Sequence, residues 1–409
     1  MKILVICQYY YPEPFRITDI CEELVKCGHE VMVVTGEPNY PEGEIYKGYE
    51  NHKKSDEVIN GVKVHRCPIV PRKTGTIYRM LNYFSYPFVA KKYIRSSKCV
   101  SSDDTSFDLV FVNQLSPVMM AEPAIAYKNK YHVPVLMYCL DLWPESLIAG
   151  GIKRNSPVYK LFHIISKKIY SKMDHILITS NSFKEYFVKE FSIDSQMIEY
   201  LPQYSEGLFE QTTVSNTEHQ GVWNLMFAGN IGEIQSVDTI LGAAERMKSE
   251  NVHFHIVGGG TDLERLQGVS RDKQLKNVTF YGRQPLEKMP EFYSKADAML
   301  ITLKADPVLS LTLPGKMQSY MAAGKPIIGA IDGETRRIID ESKCGYCGSA
   351  EAVDELVMNI RRFCNCEDKI SLCNNAKIYS QNNFDKILFF YRIEKCLKAV
   401  LNDSISNKH

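Results

Sequence analysis

Several features that define other protein classes are missing from this chain. No apolar run approaches the roughly 18 residues that a membrane-spanning helix needs. The formal net charge is only +1, which excludes a nucleic-acid binder that works through bulk charge. The first apolar run reaches Gln8 too early for a signal peptide, so we expect a cytoplasmic protein. The 12 cysteines lack the spacing of a zinc site and are expected to be reduced thiols.

The chain is long enough for two domains, because 409 residues exceed what one core usually holds. Strand-like runs alternate with helix-like runs in both halves, which favours two doubly wound, Rossmann-like α/β domains with buried parallel sheets. We predict an N-terminal domain at 1–201, a polar linker at 202–222, a C-terminal domain at 223–383 and a final helical segment at 384–409. The predicted strands are 2–6, 30–35, 62–66, 109–112, 133–138, 175–178, 197–200, 225–227, 253–257, 278–281, 298–302 and 326–329.

Two glycine-containing loops follow predicted strands of the second half. Gly229 and Gly232 stand between a strand and a helix, where backbone N–H groups can approach an anion. A tight strand–helix turn explains the spacing equally well. The second loop begins at Gly258 and has Leu263 where a dinucleotide fingerprint requires its third glycine. An NAD-dependent oxidoreductase is therefore disfavoured.

The segment 311–326 is the strongest candidate for a phosphate site. Its pattern predicts a helix over 313–323, with Thr312 as the N-cap, Pro314 in the first turn and Gly324 at the C-terminal end. Free N–H groups at the start of such a helix, together with the Lys316 ammonium group, can bind a phosphate. The alternative is an ordinary helix with a solvated lysine.

Positive charge is concentrated in the first half. No acidic residue occurs between Glu57 and Asp103, and a second run without acidic residues covers 146–173. Lysines and arginines alternate with aromatic residues in the first run. Two solvated helix faces explain this pattern, and a basic surface formed by 63–98 and 153–172 on anionic lipid headgroups explains it as well. Nucleic acid is a third option, but no recognition motif accompanies the charge.

A carboxylate pair follows the predicted strand 133–138. Asp141 and Glu145 lie at the strand end, where ligands of doubly wound domains gather. Asp141 is a candidate to bond a substrate hydroxyl or to act as a base, and capping the next helix is an equally good explanation.

Several short segments, in order along nearly the whole chain, resemble a bacterial glycosyltransferase of family 4. The resemblance is to the subgroup that builds O-antigen and capsule repeats, typified by N-acetyl-L-fucosaminyl transferases. The matching segments are 8–14 (QYYYPEP), 28–31 (GHEV), 38–43 (PNYPEG), 141–146 (DLWPES), 228–232 (AGNIG) and 321–326 (MAAGKP).

The resemblance implies the GT-B fold, with an interdomain cleft and a last helix, 384–400, that returns to the N-terminal domain. It implies a C-terminal domain for the nucleotide and an N-terminal domain for the acceptor. The reaction implied is transfer of a sugar, N-acetyl-L-fucosamine being the commonest in the subgroup, from a UDP-linked donor to an undecaprenyl-diphosphate-linked saccharide. Retention of configuration, no metal or other cofactor, and a place on the cytoplasmic face of the inner membrane are implied as well.

The sequence departs from the family at two places. Family 4 usually has two glutamates eight residues apart, at the positions held here by Leu311 and Ser319. An arginine and a lysine usually follow the position of Gly229, where Asn230 and approximately Gln235 stand. The diphosphate charge is therefore expected to fall on Lys316, on the helix N-terminus and on Arg283. The predicted donor-site residues are Gly229, Asn230, Gly232, Gly258, Arg283, Thr312, Leu313, Pro314, Gly315, Lys316 and Ser319.

The catalytic prediction rests on the leaving phosphate, which gains charge as the sugar–oxygen bond breaks. Lys316 and nearby backbone N–H groups are expected to stabilise it, Arg16 to steer the acceptor's diphosphate, and Glu13 or Asp141 to orient the acceptor hydroxyl. Two alternatives share the architecture: a non-hydrolysing UDP-N-acetylhexosamine epimerase and a non-catalytic nucleotide-sugar-binding protein.

Overall fold

The computed structural model describes residues 1–73, 75–96, 98–149, 151–212 and 221–406. The chain divides into two units, the first formed by Met1–Leu201 with the C-terminal stretch from Phe390, and the second by Pro202–Phe389. Of the predicted linker 202–222, residues 213–220 lie outside the described residues. Within the described parts, no helix combines enough length with enough hydropathy to cross a membrane.

The first unit is built on an eight-stranded sheet in the order β3-β4-β2-β1-β5-β6-β7-β8. All neighbouring strands are parallel except β3, which pairs antiparallel with β4. The strands are β1 (Lys2–Ile6), β2 (Glu30–Gly36), β3 (Asp56–Ile59), β4 (Val62–Cys67), β5 (Leu109–Gln114), β6 (Val135–Cys139), β7 (His175–Ile178) and β8 (Ile198–Tyr200). Its helices are α1 (Ile17–Lys26), α2 (Thr76–Arg95), α3 (Glu122–Tyr131), α4 (Ser146–Ala149), α5 (Pro157–Tyr170) and α6 (Ser182–Tyr186).

The second unit has a six-stranded parallel sheet in the order β11-β10-β9-β12-β13-β14. The strands are β9 (Trp223–Ala228), β10 (Val252–Val257), β11 (Val278–Gly282), β12 (Ala298–Thr302), β13 (Ile327–Ala330) and β14 (Gly345–Gly348). The helices are α7 (Val237–Arg246), α8 (Leu263–Asp272), α9 (Met289–Lys295), α10 (Gly315–Ala322), α11 (Gly333–Ser342), α12 (Val353–Cys364), α13 (Lys369–Asn383) and α14 (Lys386–Ser406).

The prediction of two buried, mostly parallel sheets is confirmed. Strands β1, β5 and β6 are buried along almost their whole length because helices cover both faces of the sheet. In each sheet the order reverses beside the first strand, between β1 and β5 and between β9 and β12. Doubly wound proteins bind ligands at the carboxyl ends of the strands where this reversal occurs. The loops after β1, β5, β9 and β12 are therefore the places to look for sites.

Several element boundaries differ from the prediction. Strands β3 and β14 were not predicted, and the GYCG sequence of β14 explains the omission because glycine is depleted in strands. The helix predicted at 313–323 begins at Gly315, and Thr312 is not its N-cap. The Thr312 hydroxyl instead donates to the carbonyl oxygen of Leu309 (2.7 Å). A threonine N-cap accepts a backbone N–H group two or three residues later through its hydroxyl oxygen, and Pro314, two residues after Thr312, has no N–H group.

The last helix begins at Lys386 rather than at residue 384 and continues to Ser406. Its first turn is capped by Asp385, whose carboxylate accepts the N–H of Leu388 (2.7 Å). From Phe390 onward the helix belongs to the first unit, where Arg392 donates to the carbonyl oxygen of Tyr200. A C-terminal helix that packs on the N-terminal unit was the expectation.

Candidate functional site

The loops after β9 and β10 pack so closely that only glycine fits at two positions. A Cβ atom on Gly258 would stand 1.8 Å from the carbonyl oxygen of Gly229, and one on Gly260 would stand 2.1 Å from that of Ile231. Both glycines also have positive φ angles, which side chains rarely tolerate. The N–H of Gly229 donates to the carbonyl oxygen of Val257 (2.9 Å), which fixes one loop on the other. The predicted residues Gly229 and Gly258 thus form one backbone cradle.

Helix α10 is anchored to the end of β9 through Tyr320. The buried Tyr320 hydroxyl accepts the N–H of Ala228 (2.9 Å) and donates to the carbonyl oxygen of Ala228 (2.8 Å). Lys316 lies one helical turn earlier and therefore on the same face of the helix. Its Nζ atom is 3.8 Å from the centre of the Phe227 ring. A Cβ atom on Gly229 would be 3.3 Å from this Nζ atom, so the glycine leaves room for the ammonium group.

The Lys316 ammonium group is enclosed and electrostatically unsatisfied. Its Nζ atom is shielded from solvent, and no hydrogen-bond partner for it exists among the residues that the structure describes. Burial lowers the pKa of Lys316 to about 7, because an enclosed cation has lost its hydration. The Phe227 ring offers only a cation–π contact. An anion entering beside Gly229 would supply the missing partner.

The other predicted donor-site residues differ in exposure and in the hydrogen bonds that they already make. Gln235 accepts the N–H of Gly232 (3.1 Å) and the side-chain amide of Asn230 (3.3 Å), so the Gly232 N–H is already used within the loop. Arg283 is exposed after β11, with its Cβ atom 3.3 Å from where a Cβ on Gly259 would stand.

The predicted residues at the start of α10 also differ in exposure. Gly315 is exposed at the first turn, and Leu313 and Pro314 precede it. Ser319 is half-buried three residues after Lys316. Lys316 stands beside Gly229, and Thr312 is engaged with the turn before the helix.

In the first unit, Glu13 holds two loops together. Its buried carboxylate accepts the backbone N–H groups of Tyr10 (3.3 Å), Asn39 (2.9 Å) and Tyr40 (2.7 Å). Burial raises the pKa of Glu13 to about 7, although the three donors act against this rise. Because these contacts are with backbone groups, the geometry favours a loop-positioning role for Glu13 over contact with a reacting hydroxyl.

Asp141 lies after β6 in a small polar network. Its carboxylate accepts the hydroxyl groups of Ser116, which follows β5, and of Ser146 (2.8 Å), at the start of α4. Burial raises the pKa of Asp141, whereas these two hydroxyls and the charge of Arg72 lower it. The carboxylate is therefore oriented at the carboxyl ends of neighbouring strands. The hydroxyl-orienting role of Asp141 stays a prediction.

Arg72 and Ser116 were not singled out by the sequence analysis. Arg72 was counted among the cations of the first basic run, and nothing marks Ser116 in the sequence. In the structure, the backbone N–H of Arg72 donates to the side chain of Asn39 (2.9 Å). The positive charge of its guanidinium group favours a lower pKa for both Asp141 and Tyr9. Burial raises the pKa of Tyr9 to about 12 against the effect of this charge. Burial raises the pKa of Tyr138 in β6, and the charge of Arg16, half-buried before α1, acts against this rise. The role of Arg16 in steering the acceptor's diphosphate stays a prediction.

Comparison with known proteins agrees with this architecture. A family model described as "Glycosyl transferase 4-like domain" matches residues 15–203, and one described as "Glycosyl transferases group 1" matches residues 223–365. The putative colanic acid biosynthesis glycosyl transferase WcaI of Escherichia coli (strain K12) is 24% identical over 427 residues, covering 98% of this chain and 99% of the relative. The probable glycosyltransferase WbjE of Pseudomonas aeruginosa is 26% identical over 298 residues, covering 70% of this chain and 73% of the relative.

Solved structures show the same fold. Sucrose-phosphate synthase from Thermosynechococcus elongatus matches with a TM-score of 0.75 at 13% identity, covering 98% of this chain and 99% of that one. Anabaena HepE, in complex with UDP and glucose, matches with a TM-score of 0.68 at 14% identity, covering 97% and 99%. The family matches favour a transferase over the epimerase and the non-catalytic binding protein. The chain is thus a group 1, family 4 glycosyltransferase with the GT-B fold, an enzyme that uses a nucleotide-sugar donor.

Proposed function

We propose that this enzyme moves a sugar from a UDP-linked donor to an undecaprenyl-diphosphate-linked saccharide during O-antigen or capsule synthesis. The observation that carries the donor half is the enclosed Lys316 ammonium group, which has no hydrogen-bond partner among the described residues and stands beside Gly229. A similar fold binds UDP and glucose in Anabaena HepE, and WcaI is named for colanic acid biosynthesis. N-acetyl-L-fucosamine is the sugar that the subgroup resemblance favours.

The reaction requires charge stabilisation on the leaving UDP. As the bond between the anomeric carbon and the β-phosphate oxygen breaks, negative charge develops on that oxygen. Protonated Lys316 and backbone N–H groups at the start of α10 would stabilise this charge in an enclosed setting, where such interactions are strong. Attack from the same face lets the departing phosphate take the proton of the acceptor hydroxyl. Transfer then retains the anomeric configuration and needs neither a metal nor a protein nucleophile.

The proposed binding of the acceptor depends on the polar network around Asp141 in the first unit. The Asp141 carboxylate, held by Ser116 and Ser146, would accept a hydrogen bond from the acceptor hydroxyl and so orient it for attack. We assign Arg16 and Arg72 to the acceptor's diphosphate. Glu13 would hold the loops after β1 and β2 in the binding conformation.

An anionic membrane surface is proposed as the second partner, on the cytoplasmic face of the inner membrane. Helices α2 and α5 lie side by side, since Phe84 stacks on Phe162 with ring centres 6.4 Å apart. Apolar side chains are exposed on both helices, among them Phe88 (71%) and Ile164 (66%), and α5 also exposes Lys160, Lys167 and Lys168. Such a face fits the headgroup region of a bilayer, where each lysine or arginine contributes about 1 kcal/mol.

Vesicle binding tests this partner. We expect salt-sensitive binding to anionic vesicles that weakens about fivefold for each of Lys167→Gln and Lys168→Gln. Ile164→Glu should weaken it further, whereas Val58→Glu, at an exposed apolar position on the edge strand β3, serves as the control. Equal binding to neutral vesicles at high salt would contradict an electrostatic membrane contact.

A transfer assay tests the reaction itself. The purified protein is incubated with a panel of UDP-, GDP- and dTDP-sugars and with undecaprenyl-diphosphate-N-acetylglucosamine, and the lipid product is weighed by mass spectrometry. A mass gain of one sugar from one UDP-sugar is the expected result. Conversion of a UDP-sugar without acceptor would instead indicate an epimerase. A gain from a GDP- or dTDP-sugar alone would overturn the proposed donor.

A further inference from the structure

Glu145 is a fully buried carboxylate to which the proposed mechanism gives no role. It belongs to the segment 141–146 that follows β6, and it directly precedes Ser146, whose hydroxyl bonds the Asp141 carboxylate (2.8 Å). A buried carboxylate costs free energy unless protein groups replace the water that it has lost. The partners of Glu145 therefore indicate what this buried charge does.

Three side chains from outside the segment 141–146 donate to the same oxygen of Glu145. The hydroxyl of Tyr159, in α5, donates to Oε1 (2.8 Å), and so does the hydroxyl of Tyr186, in α6 (2.7 Å). The guanidinium group of Arg154, in the turn before α5, pairs with this oxygen as well (2.5 Å). One carboxylate oxygen thus fixes the segment to two helices of the first unit.

A closed turn connects Glu145 to Asp141. The backbone N–H of Ser146 donates to the carbonyl oxygen of Leu142 (3.1 Å), so the chain turns back with Glu145 inside the turn. This turn returns Ser146 to Asp141, whose carboxylate accepts its hydroxyl. A shift of Glu145 would therefore move the serine that orients Asp141.

We propose that Glu145 is a positioning residue for sugar transfer and that it acts through Asp141. Its own carboxylate is enclosed and does not contact a substrate. By holding the turn on α5 and α6, it keeps the Asp141 carboxylate in the orientation that the acceptor hydroxyl needs, and a misplacement of about 1 Å at such a site can reduce a rate about 100-fold. This inference rests on the proposed role of Asp141 and adds the residue that fixes its orientation.

Tryptophan fluorescence tests the attachment of the turn without any substrate. Trp143 is buried two residues before Glu145, and Trp223 is the only other tryptophan of the chain. In a Trp223→Phe background, Glu145→Ala should increase acrylamide quenching of Trp143 about twofold, because the turn is released from both helices and opens locally. Glu334→Ala is the matched control, since it removes a similarly buried carboxylate that pairs with Arg337 in the second unit. Unchanged quenching in Glu145→Ala would overturn the inference.

Transfer kinetics test the consequence for Asp141. Glu145→Ala should lower kcat/KM for the acceptor about tenfold and leave UDP affinity unchanged, because the candidate donor site lies in the second unit. Glu145→Gln keeps an oxygen that can accept the hydroxyls of Tyr159 and Tyr186, so it should lose only about threefold. It also replaces Glu145→Ala in every comparison if the alanine variant folds poorly. In an Asp141→Ala background, either change should cost less than about twofold more, since nothing is left to position.

Two kinetic results would contradict this role. An undiminished loss in the Asp141→Ala background would mean that Glu145 acts independently of Asp141, and a parallel loss of UDP affinity would mean that the effect reaches beyond the acceptor. Wild-type turnover in Asp141→Ala would remove Asp141 from the mechanism and Glu145 with it. If the wild-type protein transfers no sugar, the proposed function is wrong, and the quenching of Trp143 still decides whether Glu145 holds the turn.

Discussion

In the second unit the Lys316 ammonium group is enclosed without a hydrogen-bond partner in the described residues, whereas in the first unit the Asp141 carboxylate accepts from two serine hydroxyls. An enclosed charge without a partner reduces stability until a ligand of opposite charge arrives. A charge that protein groups already satisfy is instead held in one orientation. The first arrangement suits the binding of an anion, and the second suits the positioning of a neutral hydroxyl.

Removing the Lys316 ammonium group is the most direct test of this difference between the two units. Lys316→Ala should reduce kcat about 100-fold, because the developing charge on the leaving phosphate would lose its main stabilising group. Steady-state transfer kinetics with the sugar donor measure this effect. Lys248→Ala removes an exposed lysine that donates to the carbonyl oxygen of Lys273, and this control should retain full activity. Wild-type turnover in Lys316→Ala would remove Lys316 from the mechanism.

The pH dependence of UDP binding should follow the same group. Burial lowers the Lys316 pKa to about 7, so the free protein loses this proton as the pH rises through 7. Binding of a diphosphate restores the proton, and UDP affinity should therefore fall by up to about tenfold per pH unit above 7. Calorimetric titrations between pH 7 and 9 measure this slope. Lys316→Arg stays protonated throughout, and a slope that persists in this variant would assign the dependence to another group.

Much of the fold could be predicted from the sequence, and the candidate site of the second unit has a clearer local sequence signal than that of the first. Short apolar runs gave nearly all the parallel strands, because a strand covered on both faces is continuously apolar. Lys316 could be singled out because a proline, a glycine and a lysine at a helix start together predict an anion site. Arg72 and Ser116 have no such local signal. Ser116 lies beside Asp141 because β5 and β6 are neighbours in the sheet. Arg72 follows β4, which β2, β1 and β5 separate from β6, so only the path of the loop after β4 brings its charge into play.

Removing a carboxylate from the first unit should lower the stability of the protein and leave donor binding unchanged. Glu13→Ala leaves the N–H groups of Tyr10, Asn39 and Tyr40 without their acceptor and should lower the free energy of unfolding by about 2 kcal/mol. Urea denaturation measures this loss, and UDP affinity should not change. Glu42→Ala removes an exposed carboxylate nearby and is the control. Unchanged stability with lost transfer would instead make Glu13 a catalytic residue.

The smallest effect that we expect is on stability, and it tests most specifically whether the buried Lys316 charge lacks a partner. Lys316→Met keeps the apolar length of the side chain but removes its buried charge, so it should raise the free energy of unfolding by about 1 kcal/mol while transfer is lost. Because the folded-state pKa lies below the unfolded value, the charged lysine costs most at pH 7 and below, and its cost fades as the pH rises toward 10.5. The gain from Lys316→Met should therefore be larger at pH 6 than at pH 9. Urea denaturation at the two pH values measures it, and a destabilised variant at pH 6 would show that Lys316 has a partner in the folded protein.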